Sequence, residues 1–197
     1  MSPVVSGEEL RERGLKAVLG AERIVLELGF GRGELLLDLA SENPDRTYLG
    51  VEISRKRVEK MARRAEKRAL ANLFLLHAPA EYALERALPP SCVEELWINC
   101  PDPWPKKRHW RRRLIQPPLL ALCARALAPG ARVHLSTDHE GYRDWIAEAL
   151  AGQTQLVNLH APAPWVAERP ARRETAYEAE WRAEGRAIAY FDYRRAP

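Results

Sequence analysis

Short apolar runs alternate with stretches of helical periodicity through most of the chain. The apolar runs predict five strands, at residues 23–28, 47–52, 72–77, 92–99 and 131–138. The stretches that follow them predict five helices, at residues 33–43, 54–70, 80–88, 112–127 and 140–150. We expect Ser54 to cap the second of these helices and the fourth to begin anew at Pro117 or Pro118. Five strand–helix alternations indicate a parallel sheet that is covered on both faces.

The end of the chain has a different pattern. Residues 154–160 and 186–194 are strand-like, and the segment between them is irregular, with no clear helix. We therefore predict an α/β fold with a mostly parallel, seven-stranded sheet that ends in an antiparallel strand pair. The length favours a single domain, 1–197, with a helical segment at 1–20 and a long loop at 161–185. Loops of that length are usually functional or disordered, and we predict that this one faces a substrate.

The composition is that of a soluble globular protein, with 46% hydrophobic and 29% charged residues. No apolar run is long enough to span a membrane, and the N-terminus lacks the apolar core of a signal peptide, so we expect a cytoplasmic location. Cys92, Cys100 and Cys123 are too scattered for a disulfide framework or a zinc site, and the histidines form no cluster with them. We expect reduced, mostly buried thiols and no metal.

Three glycines follow the first predicted strand, in "LELGFGRGELL". Gly29, Gly31 and Gly33 permit a tight turn and the close approach of a ligand to the backbone. Their spacing departs from the dinucleotide fingerprint at the third glycine, and Glu27 would repel a pyrophosphate. Glu52, at the end of the second strand, is placed to accept hydrogen bonds from ribose hydroxyls. A nucleoside with a cationic tail and no phosphate is S-adenosylmethionine, which is therefore the predicted cofactor.

A proline-rich loop, within "NCPDPWPKKRHWRRRL", follows the fourth predicted strand. Its prolines restrict the backbone around Asp102 and Trp104, so we expect a stiff loop that holds Asp102 beside the cofactor. Trp104 either stacks on a base or fills the core. Asn99 loosely imitates the first polar residue of the amino-methyltransferase motif, although the spacing after it differs.

Positive charge is concentrated just after this loop. The formal net charge is only +4, but six of the eight residues from Lys106 to Arg113 are Lys or Arg. So much positive charge at the start of a helix opposes the helix dipole, which indicates a polyanionic partner bound through salt-sensitive phosphate contacts. We interpret the second cationic cluster, on the helix at 54–70, mainly as a solvated face.

Together, "ELGFGRG", "YLGVE", "PDPWPKKRH", "STD" and "TAYE" resemble the motifs of the bacterial tRNA (guanine-N7-)-methyltransferases, across residues 23–193. The proline-rich motif with its basic continuation is the most specific of them. The resemblance implies a Rossmann-like class I methyltransferase fold, S-adenosylmethionine as cofactor and tRNA as partner. It also implies methylation at N7 of the variable-loop guanosine at position forty-six.

The resemblance assigns roles to residues at the cofactor end. Glu27 and Glu52 match the cofactor-binding acids, and Asp102 matches the proposed catalytic acid, which also lies against the cofactor. Pro79 stands where the family usually has an Asp near the adenine. Adenine recognition at this cofactor position would then depend on backbone groups or on a neighbour such as Glu81.

Further assignments concern the RNA. Lys106, with Arg108 in the same run, and Asp138 match substrate-contacting positions, as do Thr175, Tyr177 and Glu178 in the late loop, where Ala176 replaces a common basic residue. Asp138 is also a candidate N-cap of the following helix. For Asp102 we expect a carboxylate that accepts hydrogen bonds from guanine N1–H and the 2-amino group, which selects guanine and stabilises the positive charge that develops on the purine. The sequence leaves open whether Asp102 only orients the guanine or also accepts a proton from it.

Two alternative functions remain at this point. A methyltransferase that acts on a small molecule or a protein would have no use for the cationic run. A non-catalytic RNA-binding module would have no need of the glycine loop or of Glu52. The sequence leaves open whether the protein is a monomer or a homodimer.

Overall fold

Within residues 2–197, which the computed structural model describes, eight strands form one sheet. They are β1 (Val4–Val5), β2 (Ile24–Leu28), β3 (Tyr48–Glu52), β4 (Leu73–His77), β5 (Val93–Asn99), β6 (Leu127–Thr137), β7 (Leu156–Asn158) and β8 (Ala189–Arg195). Their order across the sheet is β1-β4-β3-β2-β5-β6-β8-β7. Strand β8 runs antiparallel to both of its neighbours, and the other pairs are parallel.

This sheet confirms the predicted fold class and adds one strand to the seven predicted. The extra strand, β1, has two residues, which is too short to show any periodicity in the sequence. Strand β6 is also longer than predicted, because it begins directly after a helix at Leu127.

The α-helices are α1 (Gly7–Arg13), α2 (Leu15–Leu19), α3 (Glu34–Glu42), α4 (Arg55–Lys67), α5 (Ala80–Tyr82), α6 (Pro117–Ala126), α7 (Glu140–Ala151) and α8 (Ala176–Ala183). A π-helical segment, Ala83–Ala87, extends α5, and a 3₁₀ helix, Lys107–Arg112, follows the proline loop. Helices α1 and α2 lie in the predicted N-terminal helical segment. Helix α6 begins at Pro117 as predicted, since proline needs no hydrogen-bond acceptor in the first turn.

Two hydrophobic clusters lie on opposite faces of the sheet. In β2, Leu26 belongs to one cluster and Val25 to the other, because successive side chains of a strand point to opposite faces. The larger cluster includes residues of α6 and α7, and the smaller one includes residues of α3 and α4. The sheet is therefore covered on both faces.

The prediction of an irregular loop at 161–185 is wrong for its second half, where α8 lies. The Thr175 hydroxyl accepts a hydrogen bond from Glu178 N at 3.1 Å, and Glu178 Oε2 accepts one from Thr175 N at 2.8 Å. This reciprocal cap begins the helix. Within α8 the buried residue is Glu178 rather than a row of apolar side chains, so hydrophobic periodicity does not reveal the helix.

Candidate active site

The glycine loop turns sharply between β2 and α3. Gly29 and Gly33 have φ angles of 71° and 73°, in the left-handed region that glycine adopts without strain. A Cβ added at Gly33 would also clash with the buried Met61 side chain, which would have to shift. The loop therefore brings bare backbone to the carboxyl edge of the sheet, where ligands bind in folds of this type.

Glu52 fastens the glycine loop to the end of β3. Its carboxylate is buried and accepts hydrogen bonds from Gly31 N at 3.0 Å and from Ser54 N at 2.9 Å. Ser54 is the N-cap residue of α4, but the expected side-chain cap is absent; the Ser54 backbone N–H is held by Glu52 instead. Each carboxylate oxygen has a second lone pair, so Glu52 retains acceptor capacity for ribose hydroxyls.

Glu27 is a buried acid with an unused oxygen. Glu27 Oε1 accepts a hydrogen bond from Asn99 Nδ2 at 3.3 Å, whereas Oε2 has no hydrogen-bond partner among the described residues. Burial raises the pKa of Glu27 to about 8; the Asn99 hydrogen bond opposes this rise, and the nearby Glu52 and Glu178 add to it. An acid in this state is poised to accept a hydrogen bond from a cationic group, which would also favour its ionised form.

The adenine end of the predicted cofactor site presents apolar surface. Pro79 is exposed at the N-cap of α5, directly after β4. Ile53, next to Glu52, leaves 69% of its surface exposed. The sequence analysis does not single out Ile53, because an isoleucine at a strand end gives no signal without knowledge of its exposure. An apolar surface of this kind fits one face of a purine ring.

The proline loop after β5 is held in an unusual backbone conformation. Cys100 and Trp104 have φ angles of 41° and 43°, which are uncommon for residues with side chains and cost free energy. Asp102 lies between them and is exposed. The prediction of a stiff loop around Asp102 is consistent with this backbone. Cys100 is an unreactive thiol, because burial raises its pKa to about 12.

Arg113 anchors the proline loop instead of facing RNA. It is only 3% exposed, and it donates to the carbonyl oxygens of Pro103 at 2.9 Å and Gly141 at 3.3 Å. Its guanidinium also stacks on Trp110 and Trp145, at 4.6 and 5.1 Å from the ring centroids. The last residue of the cationic run is therefore structural, and these partners lie too far apart in sequence to be predicted from it.

The rest of the cationic run is exposed to solvent, namely Lys106, Lys107, Arg108, Arg111 and Arg112. Trp104 is only half-buried, with the Arg112 guanidinium 4.9 Å from its ring centroid, so it does not fill the core. On α4 and at its C-cap, four arginines lie near carboxylates, namely Arg55, Arg57, Arg64 and Arg68, at 2.9, 3.5, 3.9 and 3.0 Å. Four other cations of α4 are exposed, namely Lys56, Lys60, Arg63 and Lys67.

Segment 161–185 inserts a buried cation above the sheet. Arg172 Nη2 donates to Glu178 Oε1 at 2.6 Å, and the two side chains are 2% and 0% exposed. Thr175 is buried as the cap of α8. Both oxygens of Glu178 are thus engaged within the protein. The assignment of Thr175 and Glu178 to substrate binding stays a prediction.

Two further predicted residues lie near each other at the other side of α8. Asp138 does not cap α7, because His139 occupies the N-cap and accepts from Tyr142 N through its ring nitrogen. The Asp138 carboxylate instead lies 4.0 Å from Arg186. Tyr177 packs edge-on against Trp181, at 5.0 Å between ring centroids. Burial raises the pKa of the Tyr177 hydroxyl, and the charge of Asp138 contributes.

Ion pairs fasten segment 161–185 over the glycine loop and α3. Arg32, in the glycine loop, lies 2.8 Å from Glu180 of α8, and Arg173 lies 2.6 Å from Glu42 of α3. Two open clefts, of about 410 and 500 Å³, flank α8, and both are rich in arginine. Both clefts are lined mainly by residues of segment 161–185 and of the stretch just after it.

The structure brings most of the predicted residues to one edge of the sheet and adds two. Asn99 connects Glu27 to Arg172 through two hydrogen bonds. Its amide nitrogen donates to Glu27, and its amide oxygen accepts from Arg172 at 3.1 Å. From the sequence, Asn99 resembles only an amine-polarising residue, and Arg172 gives no signal of its own. No group of metal-ligating side chains occurs within residues 2–197. No helix in the same residues is long and apolar enough to cross a membrane.

Comparisons with solved structures define the class of the fold. The chain matches the 16S rRNA methyltransferase KamB with a TM-score of 0.64 and 23% identity, covering 96% of this chain and 92% of that one. It matches TrmN from Thermus thermophilus with a TM-score of 0.63 and 21% identity, covering 93% of this chain and 47% of that one. At these identities the likeness shows the fold alone, which is that of the class I methyltransferases.

Comparisons of sequence define the family. A family model described as "Putative methyltransferase" matches residues 21–191. A tRNA (guanine-N(7)-)-methyltransferase of Halorhodospira halophila is 37% identical over 195 residues, which are 97% of this chain and 84% of the relative. Its counterpart in Leifsonia xyli is 38% identical over 172 residues, 87% of this chain and 76% of the relative. The chain belongs to the tRNA (guanine-N(7)-)-methyltransferase family and is a methyltransferase, a membership that in general implies S-adenosylmethionine as methyl donor.

Proposed function

We propose that this enzyme transfers a methyl group from S-adenosylmethionine to N7 of a guanosine in tRNA, at position forty-six of the variable loop. One observation carries the proposal. The buried, unpartnered Oε2 of Glu27 lies at the carboxyl edge of β2, and the exposed Asp102 follows the neighbouring strand β5. A site for a cationic nucleoside and an acid for its acceptor are thus side by side.

The residues at the carboxyl edge fit this cofactor. Glu27 Oε2 would accept from the ammonium group of its methionine part, and the spare lone pairs of Glu52 would accept from the ribose hydroxyls. Ile53 and Pro79 would contact the adenine through apolar surface, and the glycine loop leaves room for the backbone to approach. The bound cofactor supplies an activated methyl group; the protein supplies the position and the electrostatic environment.

Asp102 binds the guanine and stabilises the charge that forms on it. Guanine N7 has a free lone pair, so the enzyme needs no base to expose the nucleophile. Methylation makes the purine cationic and its N1–H more acidic. The exposed Asp102 carboxylate accepts from N1–H and from the 2-amino group, and its charge stabilises the cation as it forms. The strained, anchored loop holds this carboxylate in place before the substrate arrives, which reduces the ordering entropy of the reaction.

The exposed cations from Lys106 to Arg112 bind the RNA. Lys106 and Arg108 follow Asp102 within the same loop and its 3₁₀ continuation, and they would contact phosphates on either side of the target nucleotide. Asp138 and Tyr177, with Thr175 and Glu178 behind them, would close over the guanosine from segment 161–185. The structured guanosine has to be accessible or extruded for its N7 to reach the site. We place the reaction, carried out by a single domain, in the cytoplasm with its tRNA substrate.

The decisive experiment incubates unmodified tRNA with the purified protein and S-adenosylmethionine, followed by mass spectrometry of the released nucleosides. We expect 7-methylguanosine, and we expect it to disappear when the variable-loop guanosine is replaced by adenosine. A folded protein that binds the cofactor in a calorimetric titration but yields no 7-methylguanosine would contradict the proposed reaction. A protein that binds tRNA but not the cofactor would instead be a non-catalytic RNA-binding module.

A further inference from the structure

A continuous chain of hydrogen bonds connects segment 161–185 to the buried acid of the cofactor site. Glu178 Oε1 accepts from Arg172 Nη2 at 2.6 Å, Arg172 Nη1 donates to Asn99 Oδ1 at 3.1 Å, and Asn99 Nδ2 donates to Glu27 Oε1 at 3.3 Å. The chain joins segment 161–185 to β5 and β2, and the proposed mechanism uses its two ends, Glu178 and Glu27, but neither Arg172 nor Asn99.

Arg172 determines which end of the Asn99 amide faces Glu27. Ser136 Oγ donates to the same oxygen, Asn99 Oδ1, at 3.3 Å. The serine hydroxyl could donate or accept, but the Arg172 guanidinium can only donate, so the amide oxygen must lie on its side and the NH₂ group must face Glu27. If the amide turned over, its oxygen would face Glu27, and only a protonated Glu27 could then hydrogen-bond to it. The orientation that Arg172 selects is therefore the one that favours an ionised Glu27.

Arg172 is held too firmly for a role in RNA contact. Its side chain is 2% exposed, and its guanidinium lies over the rings of Trp97 and Tyr190, at 5.3 and 4.8 Å from their centroids. A buried ion pair such as Arg172–Glu178 contributes little to stability when compared with apolar residues of similar volume. The pair is better explained by what it orients than by the stability it contributes.

We propose that Arg172 is a positioning residue for cofactor binding, acting through Asn99 to keep Glu27 as an acceptor for the cofactor's ammonium group. This proposal rests on the proposed function. It makes cofactor affinity depend on the docking of segment 161–185, whose other residues are proposed to meet the guanosine. The substrate-facing segment and the cofactor site are thereby coupled without a direct contact between Arg172 and the cofactor.

The groups around Glu27 determine the direction in which its pKa should change when the Asn99 amide is no longer held in place. Burial is the main obstacle to ionisation of Glu27; the Asn99 hydrogen bond from β5 favours ionisation, and Glu52 on β3 and Glu178 on α8 oppose it. Loss of the oriented Asn99 amide therefore raises the pKa of Glu27 further. The affinity for an ammonium-bearing ligand, which needs the carboxylate form, should then reach half of its plateau value at a higher pH.

The test compares two charge-neutral double variants by calorimetric titration from about pH 6 to about pH 9. Arg172→Met with Glu178→Met removes the 2.6 Å pair, and Arg46→Met with Glu95→Met removes a matched pair of 2.7 Å that does not contact Asn99 or Glu27. The ligands are S-adenosylhomocysteine, which has the ammonium group, and 5′-methylthioadenosine, which lacks it. Circular dichroism confirms that each variant is folded.

For the wild-type protein we expect affinity for S-adenosylhomocysteine to rise with pH. The Arg172/Glu178 variant removes one negative and one positive charge, whose effects on the pKa of Glu27 oppose each other, so the lost orientation of the Asn99 amide decides the direction. The midpoint should move up by about one pH unit, which lowers affinity at neutral pH about tenfold, with little change for 5′-methylthioadenosine. The Arg46/Glu95 variant should behave as the wild type. Asn99→Ala should reproduce the effect, and combining it with the Arg172/Glu178 change should add nothing further.

Each contrary result has a distinct meaning. A wild-type protein that binds neither ligand would contradict the proposed function itself. Binding by the wild type with an unshifted midpoint in the Arg172/Glu178 variant would overturn the positioning role. An equal loss for both ligands would overturn it as well, because that result indicates general damage to the site. If the variant lacking Arg172 and Glu178 does not fold, Asn99→Ala and Arg172→Lys provide the same comparison, with partial recovery expected for the lysine.

Discussion

At the scale of single residues, the buried Glu27 lowers the stability of the folded protein. With a pKa of about 8, this acid retains its proton in the folded protein at neutral pH, whereas in the unfolded chain it ionises near pH 4.3. The folded state therefore binds more protons between these two values, and stability falls as pH rises through that window. Glu27 destabilises the fold and still has a free oxygen. The presence of such a residue is explained if a bound ligand donates a hydrogen bond to that oxygen.

Replacing Glu27 with Gln should separate stability from binding. Glutamine resembles the protonated acid in shape and cannot ionise, so the free energy of unfolding at alkaline pH should rise by on the order of 2 kcal/mol. Cofactor affinity should fall at least tenfold, because an amide cannot attract an ammonium group as a carboxylate does. Urea unfolding and calorimetric titration measure the two effects. Glu52→Gln is the control, and it should lose affinity without gaining stability.

Asp102 should affect turnover rather than cofactor binding. Asp102→Ala removes the charge that stabilises the cationic purine, so we expect turnover to fall about 10²- to 10³-fold. Cofactor affinity should stay within about twofold, since the carboxylate is exposed and the proline loop is anchored elsewhere. Single-turnover methylation of tRNA and cofactor titration provide the measurements. Near-normal turnover would remove Asp102 from the mechanism, and Asp144→Ala, an exposed acid of α7, is the control.

At the scale of elements, α8 is a helix that the hydrophobic pattern of the sequence does not predict. Strands β2 to β6 and helices α3 to α7 were predictable, because each buries an apolar face with the period of its own geometry. Helix α8 buries Glu178 against Arg172, and a polar pair leaves no hydrophobic period. Its one local signal, the "TAYE" capping box, was present in the sequence and was interpreted as a substrate contact.

Removing the cap of α8 should weaken the helix and the site together. Thr175→Ala should lower the free energy of unfolding by about 1 kcal/mol and reduce methylation of tRNA, because α8 carries Tyr177 and Glu178. Ser6→Ala removes the matching capping box of α1, which packs against α2 and the π-helical segment Ala83–Ala87. It should cost similar stability and leave methylation unchanged. Equal activity in the two variants would show that α8 does not serve the reaction.

The site was predictable in its parts but not in its connections. The glycine loop, Glu27, Glu52 and Asp102 follow strands that the sequence reveals, so their meeting at one edge could be expected. The roles of Arg113 and Arg172 depend on partners such as Gly141 and Asn99, which are reached only through tertiary packing. The sequence of a cationic run does not show which of its side chains is buried in the folded protein.

At the scale of the whole molecule, a second polar cluster lies on the sheet away from the glycine loop. His134 on β6 is 2.6 Å from Asp192 on β8 and 3.5 Å from Glu95 on β5, and His160 is 3.0 Å from Asp192. Burial opposes charge on His134, but hydrogen bonds with Asp192 and Glu95 outweigh it and raise the histidine pKa. Likewise, burial opposes charge on Asp192, but hydrogen bonds with the histidines lower its pKa.

This cluster should make stability depend on pH in a defined direction. A raised histidine pKa contributes stability that is complete below about pH 6.5 and is lost as pH rises through the folded value. His134→Asn should therefore lose more stability at about pH 6 than at about pH 8.5, by roughly 1 kcal/mol. Urea unfolding at both values measures this, with the exposed His77→Asn as control. An equal loss at both values would contradict a charged His134.

The exposed cations after the proline loop should determine the salt dependence of tRNA binding. Changing Lys106, Lys107 and Arg108 to Gln should reduce the slope of log affinity against log salt by about 0.7 to 0.9 per lost phosphate contact. The control changes three exposed arginines at the opposite edge of the sheet, Arg23, Arg132 and Arg194. A filter-binding series over salt concentration should show an unchanged slope for this control. Equal slopes in both variants would indicate that the RNA binds elsewhere.

The place of β8 in the sheet has a consequence for biosynthesis. Strand β8 lies between β6 and β7, yet it is translated after both of them. Until residues 189–195 leave the ribosome, the eleven-residue strand β6 has a long unpaired edge, and β7 has no strand to join. Unpaired edges of this kind readily recruit other chains. The nascent protein, rather than the finished enzyme, is therefore the species most exposed to aggregation.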